Sequence, residues 1–466
     1  MTRGLICIGI MAAIQIGPAA RVLADGAHSA NWPQFRGENA RGVTGDQPLP
    51  VRWDVVKDQG VAWKTPIAGL GHSSPIIWGD HLYITTAVSL EGSPQLKVGL
   101  YGSGDSAEDM AEQRWLLICI DKRSGKVVWE REALKARPTV ARHTKATHCN
   151  STPATNGEFI VTFLGAEGLF CFDMDGKPIW KKDLGRLEGG PLEFDTMEWG
   201  FASSPIIESD KVIVQCDVHD QAFVAAFNVE DGKELWRTKR DEVPTWGTPT
   251  VYTSGQKKRI AVNGFRHIGG YDLDTGKEVW RMAGGGDVPV PTPISGEGLL
   301  FITNAHGAAA PLYAIPCAIE GEVSTEDDAP NNPLWSTPRN GAYMQTPILY
   351  RGLLYSCSDR GVLKCYNATT GEMHYQERLG KGVSGFTASP VACGGVVSLT
   401  SEEVTVLQIR AGRKMKLELE TQMGETTLAS PAISDRTIYF RTRGHVIAIG
   451  NRGVPAATPG SGDDSE

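Results

Sequence analysis

The chain has 466 residues, of which 41% are hydrophobic and 21% charged, and its formal net charge at pH 7 is −8. This is enough apolar material for a large packed core, which excludes a disordered chain or a coiled coil, and the acidic balance argues against a nucleic-acid partner. The 54 glycines and 27 prolines have no collagen-like period and favour many short strands joined by turns over a helical bundle.

The first 24 residues have the pattern of a secretory signal peptide. Arg3 precedes an uncharged apolar run over residues 5–17, which is too short to span a bilayer, and residues 22–24 end on an alanine. We therefore predict cleavage near Ala24 and an exported protein, periplasmic or extracellular, without a transmembrane span. An uncleaved membrane anchor is the alternative.

Eight cysteines lie after residue 24. They are dispersed through apolar, strand-like runs, and no two are adjacent. An even number in an oxidising compartment permits disulfides, but this dispersal favours buried free thiols. The sequence has no Cys-x-x-Cys-His motif for covalent haem and no Cys-x-x-Cys pair of the kind that binds zinc. The cysteines are Cys119, Cys149, Cys171, Cys216, Cys317, Cys357, Cys365 and Cys393.

A Ser/Thr-Pro dipeptide followed by small and branched apolar residues recurs along the chain. Successive copies are 78, 52, 44, 44, 54, 43 and 41 residues apart, which matches the period of about 40–50 residues of four-stranded propeller blades, apart from one enlarged first unit. The copies begin at Ser74, Thr152, Ser204, Thr248, Thr292, Thr346, Ser389 and Ser430. A second mark, Gly-Lys-x-x-Trp, follows in phase and ends at Trp129, Trp180, Trp236 and Trp280.

The unit over residues 346–380 shows what each repeat predicts. Four short runs are separated by turns, at residues 346–350, 353–357, 362–366 and 373–378. In the last turn an Asn or Asp side chain accepts backbone N–H bonds and a glycine supplies positive φ. Each unit is therefore a four-stranded antiparallel meander. The tryptophans recur on successive fourth strands, with Trp335 and Tyr375 as looser equivalents, and are expected to wedge between neighbouring sheets.

The two ends of the chain decide how the units are arranged. The unit that begins at Ser430 supplies three strands and then runs into a Pro/Gly/Ser/Asp tail, whereas residues 61–65 resemble a fourth strand, Trp63 included, without three strands before them. We predict that this N-terminal strand completes the last blade, which gives an all-β, eight-bladed β-propeller of four-stranded antiparallel blades. The predicted divisions are a signal peptide (1–24), a leader segment (25–60), the propeller (61–452) and a disordered tail (453–466).

The Ser/Thr-Pro opening, the Asp-x-x-[Ser/Thr]-Gly-Lys-x-x-Trp closing and the eightfold count resemble the repeat of the PQQ-like (pyrroloquinoline-quinone) β-propeller family. That family includes quinoprotein alcohol dehydrogenases and the non-catalytic outer-membrane assembly propeller BamB. Residues 31–37 (NWPQFRG) are similar to the opening of a secreted subgroup of the family. The resemblance spans roughly residues 31–450 and is specific for the fold, but a fold does not fix a function.

The resemblance implies what a quinoprotein dehydrogenase would need. It would need a catalytic Asp, a calcium ion held by carboxylate and amide oxygens against the quinone, and a Trp side chain on which the quinone lies. Its alcohol-oxidising members also have a disulfide between adjacent cysteines. This sequence has no adjacent cysteines and no acidic residue immediately before a blade-opening Ser/Thr-Pro. We assign no catalytic residue and no metal ligand, and the cofactor stays unknown, with PQQ and calcium left open.

A site on the propeller axis is expected where the segments before the inner strands converge. These segments carry aromatic, amide and imidazole groups, the mixture typical of a pocket for a flat ligand or a carbohydrate. The alternative is that the aromatic residues only plug the channel. The predicted axial residues are His72, His148, Asn150, Trp199, Trp246 and Gln345.

Two loops are further candidates. Residues 136–150 carry Arg142, His143 and Lys145 close together, next to the polar insertion at residues 89–113, and this basic loop could bind an anionic ligand or simply be solvated. The acidic loop at residues 320–332 lacks EF-hand spacing and is expected to be disordered rather than to bind calcium.

The sequence favours an exported binding or scaffolding module for a protein partner or a small-molecule ligand, and we expect it to be a monomer. The alternative is a PQQ-dependent oxidoreductase that acts on alcohols or sugars through the axial pocket.

Overall fold

The computed structural model describes residues 31–45, 47–92, 94–99, 104–191, 197–307, 309–326 and 328–450. The predicted signal peptide and C-terminal tail lie outside these residues. The described chain forms eight separate sheets of four antiparallel strands, one of them with an added fifth strand, and this confirms the predicted eight-bladed propeller. Among the described residues, no helix has the length and apolar character that crossing a bilayer requires.

Blades 1 to 4 follow one another along the chain. Their strands are β2 (Ile76–Trp78), β3 (His81–Ser89), β4 (Gln113–Asp121) and β5 (Val127–Ala136) in blade 1; β6 (Ala154–Thr155), β7 (Phe159–Phe163), β8 (Leu169–Asp173) and β9 (Pro178–Lys182) in blade 2; β10 (Ile206–Glu208), β11 (Lys211–Cys216), β12 (Phe223–Asn228) and β13 (Glu234–Lys239) in blade 3; and β14 (Thr250–Ser254), β15 (Lys257–Val262), β16 (His267–Asp272) and β17 (Glu278–Ala283) in blade 4.

Blades 5 to 8 repeat the pattern, and β1 joins the last of them. Their strands are β18 (Ile294–Gly296), β19 (Leu299–Thr303), β20 (Leu312–Pro316) and β22 (Trp335–Thr337) in blade 5; β23 (Ile348–Tyr350), β24 (Leu353–Cys357), β25 (Val362–Asn367) and β26 (Met373–Arg378) in blade 6; β27 (Val391–Cys393), β28 (Val396–Thr400), β29 (Thr405–Arg410) and β30 (Lys416–Gln422) in blade 7; and β31 (Ala432–Ser434), β32 (Thr437–Arg441), β33 (His445–Ile449) and β1 (Val61–Pro66) in blade 8. The described residues also form two 3-10 helices, Glu38–Ala40 and Gly165–Glu167, and one additional strand, β21 (Gly321–Val323).

The glycine and the tryptophan of the Gly-Lys-x-x-Trp mark meet at the contact between neighbouring blades. In five of the closing turns the glycine has a positive φ of +70° to +78°, and the indole of the preceding blade packs where a Cβ would stand. The indole N–H also donates to a backbone carbonyl of the next blade in several cases, for example Trp180 to Val229 O at 2.8 Å. The Trp–Gly contacts are Trp129 with Gly176, Trp180 with Gly232, Trp236 with Gly276, and Trp335 with Gly371.

The ring is closed by the same contact between the two ends of the chain. β1 pairs antiparallel with β33, with Trp63 opposite Ala448 and Lys64 opposite Ile447. The Trp63 indole packs on Gly125 of blade 1 and donates to Lys122 O at 3.0 Å. The junction between the last and first blades is therefore built like the others, although no covalent connection crosses it.

A carboxylate fixes the closing strand from outside the sheet. Glu425 accepts hydrogen bonds from Lys64 Nζ on β1 at 3.1 Å and from Thr442 Oγ1 at 2.7 Å. Burial alone would raise the pKa of Glu425, but hydrogen bonds from His445, Thr442 and Lys64 outweigh it and lower this pKa to about 2. The Glu425 carboxylate therefore connects β1 to the loop before β33 through hydrogen bonds.

This depressed pKa predicts a pH-dependent stability. Since the folded pKa of Glu425 lies below the ordinary value of 4.5, its ionised form stabilises the fold above about pH 4.5, and the contribution is lost as the pH falls toward 2. Glu425→Gln should lower the free energy of unfolding at pH 7 by on the order of 1–2 kcal/mol, allowing for partial exposure. Denaturant titrations at pH 7 and pH 3 should show that the wild type and the variant differ less in their free energy of unfolding at pH 3 than at pH 7. An equal difference at both would contradict the assignment.

The leader crosses one end of the ring before it reaches β1. Trp32 pairs with Ile77 of blade 1, and Pro33 O accepts from Thr155 N of blade 2 at 2.8 Å. Val43 then pairs with Ala392 of blade 7. The leader is therefore an integral part of the propeller rather than a separate arm.

The acidic loop after β20 contributes a strand that the sequence did not reveal. β21 (Gly321–Val323) pairs in parallel with β17 and adds a fifth strand to the outer edge of blade 4. Asn331 Nδ2 donates to Glu320 O and Glu322 O and fixes the loop's return. Part of this loop is thus ordered by pairing with a neighbouring blade.

Candidate ligand site on the propeller axis

The Ser/Thr of each opening dipeptide has a structural role at the axis. Its hydroxyl accepts a hydrogen bond from the backbone N–H of the equivalent residue in the preceding blade, and the following proline has no N–H of its own to offer. These bonds are 2.9–3.2 Å long and run from Ser74 to Thr152, Thr152 to Ser204, Ser204 to Thr248, Thr248 to Thr292, Thr292 to Thr346, Thr346 to Ser389 and Ser389 to Ser430. The repeat therefore builds a hydroxyl-lined ring at the centre of the molecule.

Above this ring lies a cavity of about 520 Å³. Its wall is mainly apolar, and Trp199 and Trp246 form one side with ring centroids 5.8 Å apart and planes tilted by 38°. Both indoles are held in place, because Trp199 Nε1 donates to Gly104 O and Trp246 Nε1 donates to Gly200 O, each at 2.9 Å. Tyr343 lines the same cavity. The aromatic faces are thus fixed before any ligand arrives.

The leader closes the floor of the cavity. Phe35 lines the cavity, and the neighbouring Arg36 is 1% exposed. The Arg36 guanidinium donates to Pro347 O at 2.9 Å and to Pro390 O at 2.8 Å, which belong to the opening dipeptides of blades 6 and 7. It also donates to the leader's own Ala40 O at 3.0 Å. The channel is therefore blind at this end.

The insertion between β3 and β4 lies across the opposite end. Its described part is bonded to the blade 2 side, where Lys97 N donates to Thr144 O at 3.0 Å and Ala107 N donates to Arg142 O at 2.7 Å. On the other side of the axis, Gly99 N donates to Glu402 Oε2 of blade 7 at 3.1 Å. The insertion thus bridges loops on both sides of the cavity and forms a lid.

The structure brings four of the six predicted axial residues to the cavity wall and places two behind it. His72, Asn150, Trp199 and Trp246 line the cavity. His148 instead faces Asp109 under the lid, with its Nε2 3.3 Å from Asp109 Oδ1. Gln345 is buried between blades and donates to Ala388 O at 2.7 Å, although its neighbours Met344 and Thr346 reach the cavity.

The predicted basic loop lies at the same cavity but is not a free basic surface. Arg142 is buried and pairs with Asp109 at 2.5 Å. Lys145 lines the cavity and pairs with the buried Glu402 at 2.5 Å. His143 also lines the cavity and packs edge-on against Trp199. The two predicted sites are therefore parts of one site.

The hydrogen bonds of the imidazoles fix which nitrogens carry protons. His72 Nε2 lies 3.0 Å from Lys145 O and must donate to it, while Lys145 N donates to His143 Nδ1 at 3.0 Å. Burial, together with nearby cations, lowers the pKa of His72 to about 3 and that of His143 to about 4. Both rings are neutral at pH 7, and His143 presents an Nε2–H donor.

Sequence reasoning did not find Phe35 or His306 as cavity residues. His306 Nδ1 is 2.6 Å from Asp287 Oδ1, and its ring packs against Tyr343 with centroids 5.1 Å apart. Neither residue stands in a repeated position, since Phe35 belongs to the leader and His306 follows β19. Only the path of the leader and the fold of blade 5 place them on the axis.

The residues of this wall do not fit a quinone held by calcium. Such a site needs several carboxylate and amide oxygens at the metal. Among the described residues, the cavity wall contains no carboxylate and one accessible amide side chain, Asn150. Its Oδ1 accepts from Thr147 N and Thr147 Oγ1, both at 2.9 Å, and its Nδ2 donates to Phe201 O. Within the described chain, no cluster of three or more His, Cys, Asp or Glu could hold a metal ion.

The cysteines play no part in this site as redox groups. The eight cysteines of the described residues are free thiols; seven of them are buried, and Cys317 is half-buried. Burial raises the pKa of Cys149, the one nearest the axial loops, to about 11, which keeps it protonated at neutral pH. The expectation of buried free thiols is confirmed for the described residues.

Fold and site together define a closed eight-bladed β-propeller with a blind cavity on its axis. A family model described as "Outer membrane protein assembly factor BamB" matches residues 112–264 and 264–457, well over half of the chain. The protein therefore belongs to this family of PQQ-like propellers, as the resemblance predicted.

Individual relatives are distant. BamB of Burkholderia pseudomallei (strain K96243) is 24% identical over 212 residues, which cover 44% of this chain and 49% of that protein, so the chain spans about half the length of this curated relative. The structure of BamB from Moraxella catarrhalis gives a TM-score of 0.52 at 14% identity and covers 78% of this chain and 98% of that one. Quinohemoprotein alcohol dehydrogenase from Comamonas testosteroni gives 0.60 at 14% identity, with 93% and 83% covered. At these identities the structural likeness shows the fold alone.

Proposed function

We propose that the protein is an exported binding propeller whose axial cavity takes a compact ligand with a flat ring. The observation that carries this proposal is the blind cavity of about 520 Å³ with Trp199 and Trp246 on one side. This volume is typical of small-molecule sites, and fixed aromatic faces with a few polar groups are typical of pockets for aromatic or pyranose rings. Export rests on the signal-peptide pattern of residues 1–24 and is tested by N-terminal sequencing of the mature protein.

Removing either tryptophan should abolish most of the binding. Trp199→Ala and Trp246→Ala each delete one fixed ring face, and we expect at least about tenfold weaker binding of ring probes for each variant. Glucose, methyl β-glucoside, phenol and benzamide serve as probes, titrated against the intrinsic fluorescence of the mature chain and checked by calorimetry.

Trp129→Phe is the matched control, because it changes an outer-strand indole away from the cavity wall and should leave the affinity unchanged. Thermal melting of each variant checks that the ring is intact. If no ring probe binds the wild-type protein, or if a probe binds equally well to both axial variants, the axial binding function is wrong.

The alternative of a PQQ-dependent oxidoreductase is tested directly. Since the wall lacks the oxygen ligands for calcium, PQQ with calcium should neither raise the melting temperature nor support dye reduction with an alcohol or an aldose. A clear thermal shift accompanied by turnover would replace the binding proposal with the oxidoreductase.

A second candidate, a protein scaffold, is favoured by the outer edges of the blades. Val128, Ile179 and Leu235 precede the wedge tryptophans on three successive outer strands and are 50%, 41% and 42% exposed. Blade 4 already accepts β21 at such an edge. The partner implied by the family is an outer-membrane protein during its assembly. A photo-crosslinking residue at position 235 should then capture an outer-membrane protein in the native host, whereas one at position 248 inside the cavity should not.

A further inference from the structure

The axial cavity has an unusual charge environment for an acidic protein. Its described wall contains no carboxylate and one cationic side chain, Lys145. The formal net charge of the whole chain is −8. The described wall thus differs from the acidic chain as a whole in that it presents no carboxylate to the cavity.

Two buried arginines next to the wall add uncompensated positive charge. Arg36, next to Phe35 in the chain, donates among the described residues to backbone carbonyls alone. Arg441, behind the His72 loop, donates from Nη1 to Thr85 O at 2.5 Å, and its buried Nε has no hydrogen-bond partner among the described residues. Burial lowers the pKa of Arg36 to about 9 and that of Arg441 to about 10, so both stay cationic at pH 7.

The other charges around the cavity largely cancel. Arg142 is neutralised by Asp109, and Lys145 by Glu402. Arg443 donates a hydrogen bond to Gly69 O, and the nearby Glu425 carboxylate contacts Lys64 and His445. On the far side of the cavity Asp287 is partly exposed and pairs with His306. Within the described chain, Arg36 and Arg441 are buried cations next to the wall whose hydrogen bonds go to backbone carbonyls and not to a carboxylate.

Nearby charges act on both imidazoles in the wall. Burial is the main cause that lowers the pKa of His72; Arg441, Arg142 and Lys145 add to it, and the hydrogen bond to Lys145 O opposes it. Burial likewise lowers the pKa of His143 with help from Lys145 and Arg142, and Asp105 opposes it. A positive potential disfavours a second proton on these rings and favours an anion in the same space.

One corner of the cavity also offers donors for an anion. Lys145 Nζ donates to Gly99 O and to Glu402 Oε1, so within the described chain two of its three N–H groups are used. His143 accepts at Nδ1 and so carries its proton on Nε2. An ammonium N–H and a neutral imidazole N–H are thus available at the cavity wall beside Trp199, a residue on which a ring can pack.

We propose that the axial cavity selects ring ligands that carry a single negative charge, a sugar acid or an aromatic acid, and binds their carboxylate at Lys145 and His143. This inference rests on the proposed function and adds the ligand class. Glu402 acts as the competitor: in the empty site it holds Lys145, and the ligand carboxylate shares that ammonium group when it binds.

The test compares matched probes that differ only in charge. Glucuronate should bind the mature chain at least about tenfold tighter than methyl β-glucoside, and benzoate tighter than benzamide by a similar factor. Glu402→Gln removes the competing charge and should raise the affinity for the two anions several-fold while leaving the neutral probes unchanged. Lys145→Met should abolish the preference for anions. Equal affinity for charged and neutral probes would overturn the inference while leaving a ring-binding cavity intact.

A measurement without a ring ligand separates the two proposals. The fluorescence of Trp199 and Trp246 is obtained as the difference between the wild type and the Trp199→Phe/Trp246→Phe double variant. Its quenching by iodide and by caesium is measured, and each quenching constant is normalised to that of free N-acetyltryptophanamide. We expect the normalised quenching to be stronger with iodide than with caesium. Stronger quenching by caesium would overturn the charge selectivity whatever ligand binds. If iodide quenching dominates but no ring probe binds, the ring-binding function fails and the anion-selective cavity stands.

Discussion

Trp63→Ala is expected to lower the free energy of unfolding by about 3–5 kcal/mol, the usual cost of truncating a buried tryptophan. Trp63 is only 7% exposed, packs on Gly125 and Tyr439, and donates to Lys122 O. Since β1 is held to blade 8 and blade 1 by non-covalent contacts alone, the variant should also expose the strand to protease. Denaturant unfolding together with limited proteolysis near residue 60 measures both effects.

Val128→Ala is the control, since Val128 is half exposed on an outer strand and its truncation should change stability by less than about 0.5 kcal/mol. A loss below about 1 kcal/mol for Trp63→Ala, with no new cleavage near residue 60, would show that β1 does not hold the ring closed.

Arg36→Met should cost about 2–4 kcal/mol, because it leaves buried carbonyls of Pro347 and Pro390 without their donor. Arg36 follows Phe35 in the chain and bonds this part of the leader to blades 6 and 7, so its loss should also loosen the floor of the cavity at Phe35. Denaturant unfolding measures the first effect and titration with ring probes the second. Both the free energy of unfolding and the affinity for the probes should fall.

Arg41→Met provides the comparison within the same leader. Arg41 is exposed, and its substitution should change stability by less than about 0.5 kcal/mol. Similar small effects for both arginines would mean that the leader does not plug the channel.

Much of the fold followed from two local marks. The positive φ required at Gly232 and Gly276 and the tryptophans of the preceding blades, Trp180 and Trp236, come together at one interface, so their equal spacing in the sequence is a direct record of one packing contact. The Ser/Thr of the opening dipeptide records a second contact, the hydroxyl bond between neighbouring blades at the axis. The strand β21 left no such record, because it is a single addition to one edge and recurs nowhere else.

Only part of the candidate site could be predicted from contacts that repeat along the sequence. Trp199 and Trp246 lie in segments that converge on the axis by the repeat, and they line the cavity as predicted. His148 and Gln345 lie in the same segments but turn away, because Asp109 of the insertion and Ala388 O of the next blade provide hydrogen-bond partners behind the wall. Side-chain direction in an irregular segment depends on partners distant in sequence.

The sequence by itself determined the blade, the number of blades and the closure of the ring, since these depend on short-range turn chemistry and on contacts that repeat in every unit. Only the tertiary structure decided that the ring encloses a blind cavity and that buried arginines lie next to it. The floor comes from Phe35 and Arg36 of the leader, the lid from one insertion, and a second buried cation from Arg441. Each of these features occurs once. A repeated contact leaves a period in the sequence, whereas a contact made once between distant segments leaves none, and its electrostatic effect depends on which opposite charges fold next to it.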